Sequence, residues 1–357
     1  MSAAAKKNPV LRGWPANCAR VSGSIAVSLV LAACGSSGSS VTAARNSALA
    51  PGALPKRTSV TLILDFIPNA VHAGIYRAIA AGYYTRENID LHVIQPTSTS
   101  ETLKLIDAGK AQFGLADGID VAEEIAAGHD AEAIMAITQL PLGAPIALAS
   151  ERLTSPAQLQ GKTVGITGVP SDTAVLDTVV HGAGGDAGRV HVINVGFNGA
   201  RALVAGRIAA FLGYWPDDGV QLAVNGHPVT SFRLDRYGGP AYPGLVAFTD
   251  RALIRSDPNL VRAFVAATVH GYADTLKNPE RSLEDLLRLN PNLQRRLARA
   301  SLDEYVPLFD DHQRVSFGML RPSKLAALST WMVRHRLIRK PISPSRFGTD
   351  RFLPSGR

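Results

Sequence analysis

A chain of 357 residues with 46% hydrophobic content can bury a large core, and its length suits two lobes better than one. The formal net charge is +8, but half of it comes from Lys6, Lys7, Arg12 and Arg20, which precede Cys34 with no acid among them. No dense basic tract interleaved with aromatics occurs, which argues against nucleic-acid binding. The two cysteines are Cys18 and Cys34, so nothing downstream can form a disulfide, a cysteine zinc site or a thiol nucleophile.

Residues 1–33 read as an export signal: a basic start, then an apolar run from Ile25 to Ala33 too short to span a bilayer as a mature anchor. The run ends in Leu31-Ala32-Ala33-Cys34-Gly35, which resembles the lipobox of bacterial lipoproteins and implies a diacylglyceryl group on the Cys34 thiol. A plain secretory signal and an uncleaved anchor are the alternatives. Residues 34–57, opening with Gly35-Ser36-Ser37-Gly38-Ser39-Ser40, read as a flexible tether.

The folded body begins with an apolar, β-branched strand, Val60 to Leu64, which Pro68 prevents from continuing. Asn69 can cap a helix that places Ile75, Ala78, Ile79 and Gly82 on one face. A strand, loop and helix in this order set polar groups at the carboxyl edge of a sheet, where open α/β folds bind ligands. Phe66, Asn69 and His72 are therefore candidate ligand contacts, with packing and capping as the ordinary alternatives. Strand Ile89–Ile94, helix Glu101–Ala108, strand Ala111–Ala116, helix Ile119–Ala127 and strands Ala133–Thr138 and Pro145–Ala149 continue the alternation. Asp117 and Asp120 follow the third strand and carry the same ambiguity.

A second unit starts at Ser155, with a helical turn, a strand to Ile166, the loop Gly168-Val169-Pro170-Ser171-Asp172-Thr173 and a helix to His181. Backbone N–H groups at this helix start, with Ser171 and Thr173, could hold an anion or a polar ligand edge. It is not a P-loop, because the Gly-Lys-Ser/Thr ending is missing, and Asp172 would repel phosphate. Strand Val190–Val195, helix Asn198–Ala205 and a strand-like run from Ile208 lead to Tyr214-Trp215-Pro216-Asp217-Asp218. Tyr214 and Trp215 offer stacking faces; Asp217 and Asp218 offer acceptors or helix caps. Strand Leu245–Thr249 leads into helices that run to about Trp331. The pattern is α/β, with two units and two crossings near 142–147 and 241–246.

Asp65 to Tyr84, with its Pro-Asn, its His and its Gly-Tyr-Tyr, resembles the start of NMT1/THI5-like solute-binding proteins, the pyrimidine-binding branch of ABC-importer receptors. Gly109-Lys110-Ala111-Gln112-Phe113-Gly114, Leu159-Gln160-Gly161-Lys162-Thr163-Val164-Gly165, Gly213-Tyr214-Trp215, Pro258 to Phe264 and the ending Trp331 to Pro354 agree in order and spacing. The resemblance implies a periplasmic-binding-protein type II fold, with lobe 1 at 58–143 and 246–357, and lobe 2 at 144–245. It implies a small heteroaromatic ligand, foremost a thiamine-precursor pyrimidine, with a flavin, a sulfonate or a nitrogen compound as alternatives. An ABC permease and its ATPase are the implied partners of a monomer outside the cytoplasmic membrane, anchored through Cys34. The enzyme branch of the family makes the thiamine pyrimidine from pyridoxal phosphate, using a lysine and a histidine after the third strand and a later cysteine-rich segment. Here Gly114-Leu115-Ala116-Asp117-Gly118-Ile119-Asp120 has neither residue and both lobes lack cysteine, so a receptor without cofactor, metal or catalysis is expected.

Overall fold

Short apolar strands separated by helices have few ways to pair, and this chain uses one arrangement twice. The computed structural model describes residues 49–310 and 317–354. The described strands are β1 (Thr58–Ile63), β2 (Ile89–Ile94), β3 (Phe113–Asp117), β4 (Ala131–Thr138), β5 (Gly143–Leu148), β6 (Thr163–Ile166), β7 (His191–Asn194), β8 (Ala210–Tyr214), β9 (Val229–Ser231) and β10 (Leu245–Asp250). They form two sheets, ordered β2-β1-β3-β10-β4 and β7-β6-β8-β5-β9. In each sheet three strands run parallel, and an antiparallel strand follows in fourth place. Those fourth strands, β5 and β10, are the ones the chain enters just after passing from one sheet to the other. Such a doubled α/β arrangement is the expected fold class.

β9 is absent from the sequence expectations because its three half-buried residues form no apolar run; it pairs with the outer side of β5. The first sheet carries the larger core. All eight residues of β4 are buried, and Phe113 of β3 stacks on Phe264 of the helix Pro258–Lys277 with centroids 3.9 Å apart. The helix Pro322–Arg334 reaches the other half of the chain, where the Trp331 indole N–H donates to Thr178 Oγ1 at 2.9 Å.

The end of the expected tether is not loose. Ala50 N–H donates to the Arg86 carbonyl at 2.8 Å, Asn88 Nδ2 donates to the Leu54 carbonyl at 2.6 Å, and Leu54 is buried in the core of the first sheet. Composition marked this stretch as linker, but one buried leucine and a paired backbone dock it. The expected signal segment, Cys18, Cys34 and the lipobox lie outside the described residues. Among the described residues no helix is long and apolar enough to cross a membrane.

Candidate functional site

The carboxyl ends of β1 and β3 face the carboxyl end of β8 and the loops after β6 and β7, and between them lies a cleft of about 990 Å³, solvent at its mouth included. Asp65, Phe66, Asp117, Asp120 and Tyr242 line it from one side; Ser171, Asp172, Phe197, Tyr214, Asp217 and Asp218 line it from the other. Among the described residues no Lys, Arg or His lines this cleft. Six carboxyl groups therefore share one concave surface without a cation.

Local chemistry explains how each acid is held. Asp117 caps the helix Gly118–Ala127 by accepting the Ile119 N–H at 2.8 Å, while its other oxygen accepts the Tyr242 hydroxyl at 3.4 Å. Capping and cleft lining are thus compatible at this residue. Asp120 accepts the Ser171 hydroxyl at 2.8 Å, a buried bond between the two halves of the chain. Asp218 reaches back to the Tyr214 N–H at 2.8 Å, and Asp217 accepts a long bond of 3.5 Å from Asn69 Nδ2.

Four expected contacts stand elsewhere. Asn69 and His72 form a capping box, with Asn69 Oδ1 accepting the Val71 N–H at 2.9 Å and His72 Nδ1 accepting the Asn69 N–H at 3.1 Å. That second bond leaves His72 Nε2 to carry the hydrogen, which it donates to Asp65 Oδ1 at 2.8 Å. Asp65 Oδ2 is buried and has no hydrogen-bond partner among the described residues. Thr173 is exposed and bonds the Pro170 carbonyl within its own turn. Trp215 lies under the Arg233 guanidinium, 4.4 Å from its carbon, with its N–H directed at the Pro141 carbonyl 3.5 Å away. Indole and guanidinium cover each other, so that ring packs against a crossing rather than facing the cleft.

The expected anion cradle at residues 168–173 is also filled. Asp172 accepts from the Thr167 hydroxyl and from the Gly168 and Val169 N–H groups at 2.8–3.2 Å. Three of the donors before the helix, one hydroxyl and two N–H groups, are thus taken by a side chain of the same loop.

Crowding acids in a dry cleft favours their neutral forms. Desolvation, then the neighbouring Asp218 and Asp65, push Asp217 up to about 8. Desolvation likewise pushes Asp218 to about 6, and desolvation with repulsion from Asp172 and Glu124 pushes Asp120 to about 7 against the Ser171 bond. Asp117 is raised well above its ordinary value by burial and by Asp120. Near neutral pH these groups can both donate and accept hydrogen bonds, which suits a ring edge carrying an amino group beside a ring nitrogen.

Residues 69–282 match the family model described as NMT1/THI5 like. The chain belongs to the NMT1/THI5-like family. Within that family it is 33% identical over 230 residues to a formylaminopyrimidine-binding protein of Halalkalibacterium halodurans, covering 64% of this chain and 70% of the relative. It is 29% identical over 328 residues to the riboflavin-binding protein RibY of Chloroflexus aurantiacus, covering 88% and 91%. A 4-amino-5-hydroxymethyl-2-methylpyrimidine phosphate synthase of Legionella pneumophila is 26% identical over 255 residues, covering 71% and 80%. In fold it is similar to the alkanesulfonate-binding protein SsuA of Xanthomonas axonopodis pv. citri, with a TM-score of 0.67 at 14% identity, covering 83% of this chain and 99% of that one.

Asp65, Tyr242 and Phe197 are among the lining residues of this NMT1/THI5-like protein that sequence reasoning left unassigned. Asp65 directly precedes Phe66 at a strand end, a position that could have flagged it. Tyr242 stands beside the second expected crossing. Phe197 follows an exposed edge strand and bears no signal of its own.

Proposed function

We propose that this solute-binding protein captures a flat, uncharged or cationic heteroaromatic compound, an aminopyrimidine of the thiamine-precursor kind, and delivers it unchanged to an ABC permease and its ATPase. The carrying observation is the cleft lined by six aspartates and, among the described residues, no cation, with aromatic rings on both sides. An aminopyrimidine edge presents an amino donor beside a ring-nitrogen acceptor; a carboxyl group that is partly protonated near neutral pH complements both. A sulfonate would place a fixed negative charge among acids, and the Gly168 and Val169 N–H groups are already bonded to Asp172. Lobes at 58–143 with 246–357 and at 144–245 would close on the ligand, whose contacts to both favour the closed form by differential affinity. The receptor reading is favoured over the enzyme branch because the described lining lacks the lysine, histidine and cysteine that the resemblance assigns to that branch. Cys34 would anchor the protein at the outer face of the cytoplasmic membrane.

A flavin is the second reading. The relative named for riboflavin aligns over more of the chain than the one named for formylaminopyrimidine, and an isoalloxazine is also flat and uncharged. Mass spectrometry of small molecules released by denaturing the protein, purified without added ligand, separates the two. Thermal-shift titration with the recovered compound then measures its binding. An aminopyrimidine returned unchanged, raising the midpoint with concentration, is expected. A recovered sulfonate would overturn the ligand, and conversion of the compound into a product would overturn the receptor reading.

A further inference from the structure

Phe66 follows β1 and Phe197 follows β7, yet their rings meet edge to face, with centroids 4.6 Å apart and planes at 88°. Both side chains line the cleft. Neither ring belongs to the hydrophobic cores of the two halves, and Phe197 keeps 37% of its surface exposed. Core packing therefore does not account for their contact.

The loop bearing Phe197 is held firmly. Gly196 takes a left-handed φ of +51°, and its N–H donates to Asn194 Oδ1 at 2.9 Å. Asn198 N–H closes the turn on the Val195 carbonyl at 3.0 Å. Gly199 lies against Phe211 so tightly that a Cβ there would overlap the ring. The backbone cannot settle further toward β8, so the Phe197 side chain projects from a braced turn into the cleft wall.

We propose that Phe66 and Phe197 are the two jaws of a ring clamp, in which a flat heteroaromatic ligand replaces the ring-to-ring contact and stacks between them. This rests on the reading of the cleft as a heteroaromatic receptor, and it makes Phe197 the specificity-determining aromatic of the second half, a place that sequence reasoning assigns to Tyr214 and Trp215. An edge-to-face pair at this spacing leaves no slot for a third ring, so entry must part the jaws. The exchange conserves aromatic contact: each phenyl loses a ring and gains a ring, and neither is left facing water. An aliphatic solute of equal polarity breaks the pair without replacing it. Selection for flat ligands follows from that asymmetry, and it acts mainly on residence time.

The test is stopped-flow binding of 4-amino-5-hydroxymethyl-2-methylpyrimidine and of riboflavin to the full chain and its variants. F197A and F197L are expected to raise the dissociation rate at least about tenfold while the association rate stays within about threefold; F197W restores dissociation to near wild type. Ile193, exposed on β7 and outside the cleft lining, supplies the control I193A, which should change neither rate. Because F197L keeps the apolar bulk, it remains informative if F197A fails to fold. Wild-type dissociation from F197L would overturn the clamp and leave the receptor reading intact. An association rate rising as much as dissociation would mark Phe197 as a mere gate and also overturn it. If the wild-type protein binds neither flat probe, the receptor reading and the clamp fall together.

Discussion

Asp65 is the cleft acid whose environment is most fully specified. One oxygen is held by His72, whose tautomer is set by the Asn69 N–H, and the other is buried beside the cleft with no hydrogen-bond partner among the described residues. His72 is thus a positioning residue and Asp65 an acceptor offered to the ligand. H72A would leave the Asp65 carboxylate and the Asn69 N–H unpaired in a buried site, and should lower unfolding stability by about 2–4 kcal/mol in urea titrations. D65N keeps the shape but weakens the acceptor, so its stability should change by less than about 1 kcal/mol. Its affinity for an aminopyrimidine should fall about 10- to 100-fold by calorimetry, the scale of a lost hydrogen bond to a charged group. Wild-type affinity in D65N would remove Asp65 from the site. Sequence left His72 divided between ligand and cap because a capping box normally places Glu or Gln at its third position. Only the three-dimensional neighbour, Asp65, shows what the imidazole holds.

The helices Ala73–Ala80 and Pro258–Lys277 approach closely at Gly74 and Gly271. A Cβ on Gly271 would overlap the Gly74 carbonyl oxygen, and a Cβ on Gly74 would overlap the Tyr272 ring. Tyr272 in turn donates its hydroxyl to the Val71 carbonyl at 2.8 Å, just before the first of these helices. The crossing therefore fixes the segment that carries Asp65, Phe66 and His72. G271A meets backbone rather than a flexible side chain, so it should cost at least about 1–3 kcal/mol and lower the denaturation midpoint. Stability equal to wild type would show that the helices can slide apart freely. The alternation of strand and helix was legible because most strands are short apolar runs, several of them followed by Gly or Pro, and Asn69 caps the helical turn where expected. Gly271 was not legible, since a glycine inside a helical pattern gives no sign of what approaches it. The cleft was partly legible for a related reason: Asp117, Asp120, Tyr214, Asp217 and Asp218 stand at or just after strand ends, whereas contacts between distant segments bring Phe197 to the lining and cover Trp215 with Arg233.

Across the whole molecule the acidic cleft sets how stability varies with pH. Asp120, Asp217 and Asp218 are raised to about 7, 8 and 6 when folded, Asp117 and Asp172 are raised as well, and an unfolded aspartate titrates near ~3.9. Between about pH 4 and 8 the folded protein thus binds more protons than the unfolded chain, so stability falls as pH rises through that window. Acids held low by cations act oppositely: Asp274, bonded to Tyr83 and Arg77, contributes stability that is lost as pH falls through its lowered folded value. The thermal midpoint should accordingly peak at mildly acidic pH and decline toward pH 8. D217N removes one contributor while its amide oxygen can still accept from Asn69, so it should raise the midpoint at pH 8 by about 2–4 °C, the effect of about 1 kcal/mol in a chain of this size. At pH 5, where Asp217 is already protonated, the same variant should change little. An aminopyrimidine that donates its amino hydrogens to the ionised acids offsets their repulsion, so its stabilising shift should be larger for wild type than for D217N at pH 8. A calorimetric series from pH 5 to 9 on both proteins, with and without the pyrimidine, checks this. A wild-type midpoint that stays level or rises from pH 5 to 8 would mean that the cleft acids are not repelling one another, and the carboxyl groups would then need a counter-charge supplied from elsewhere.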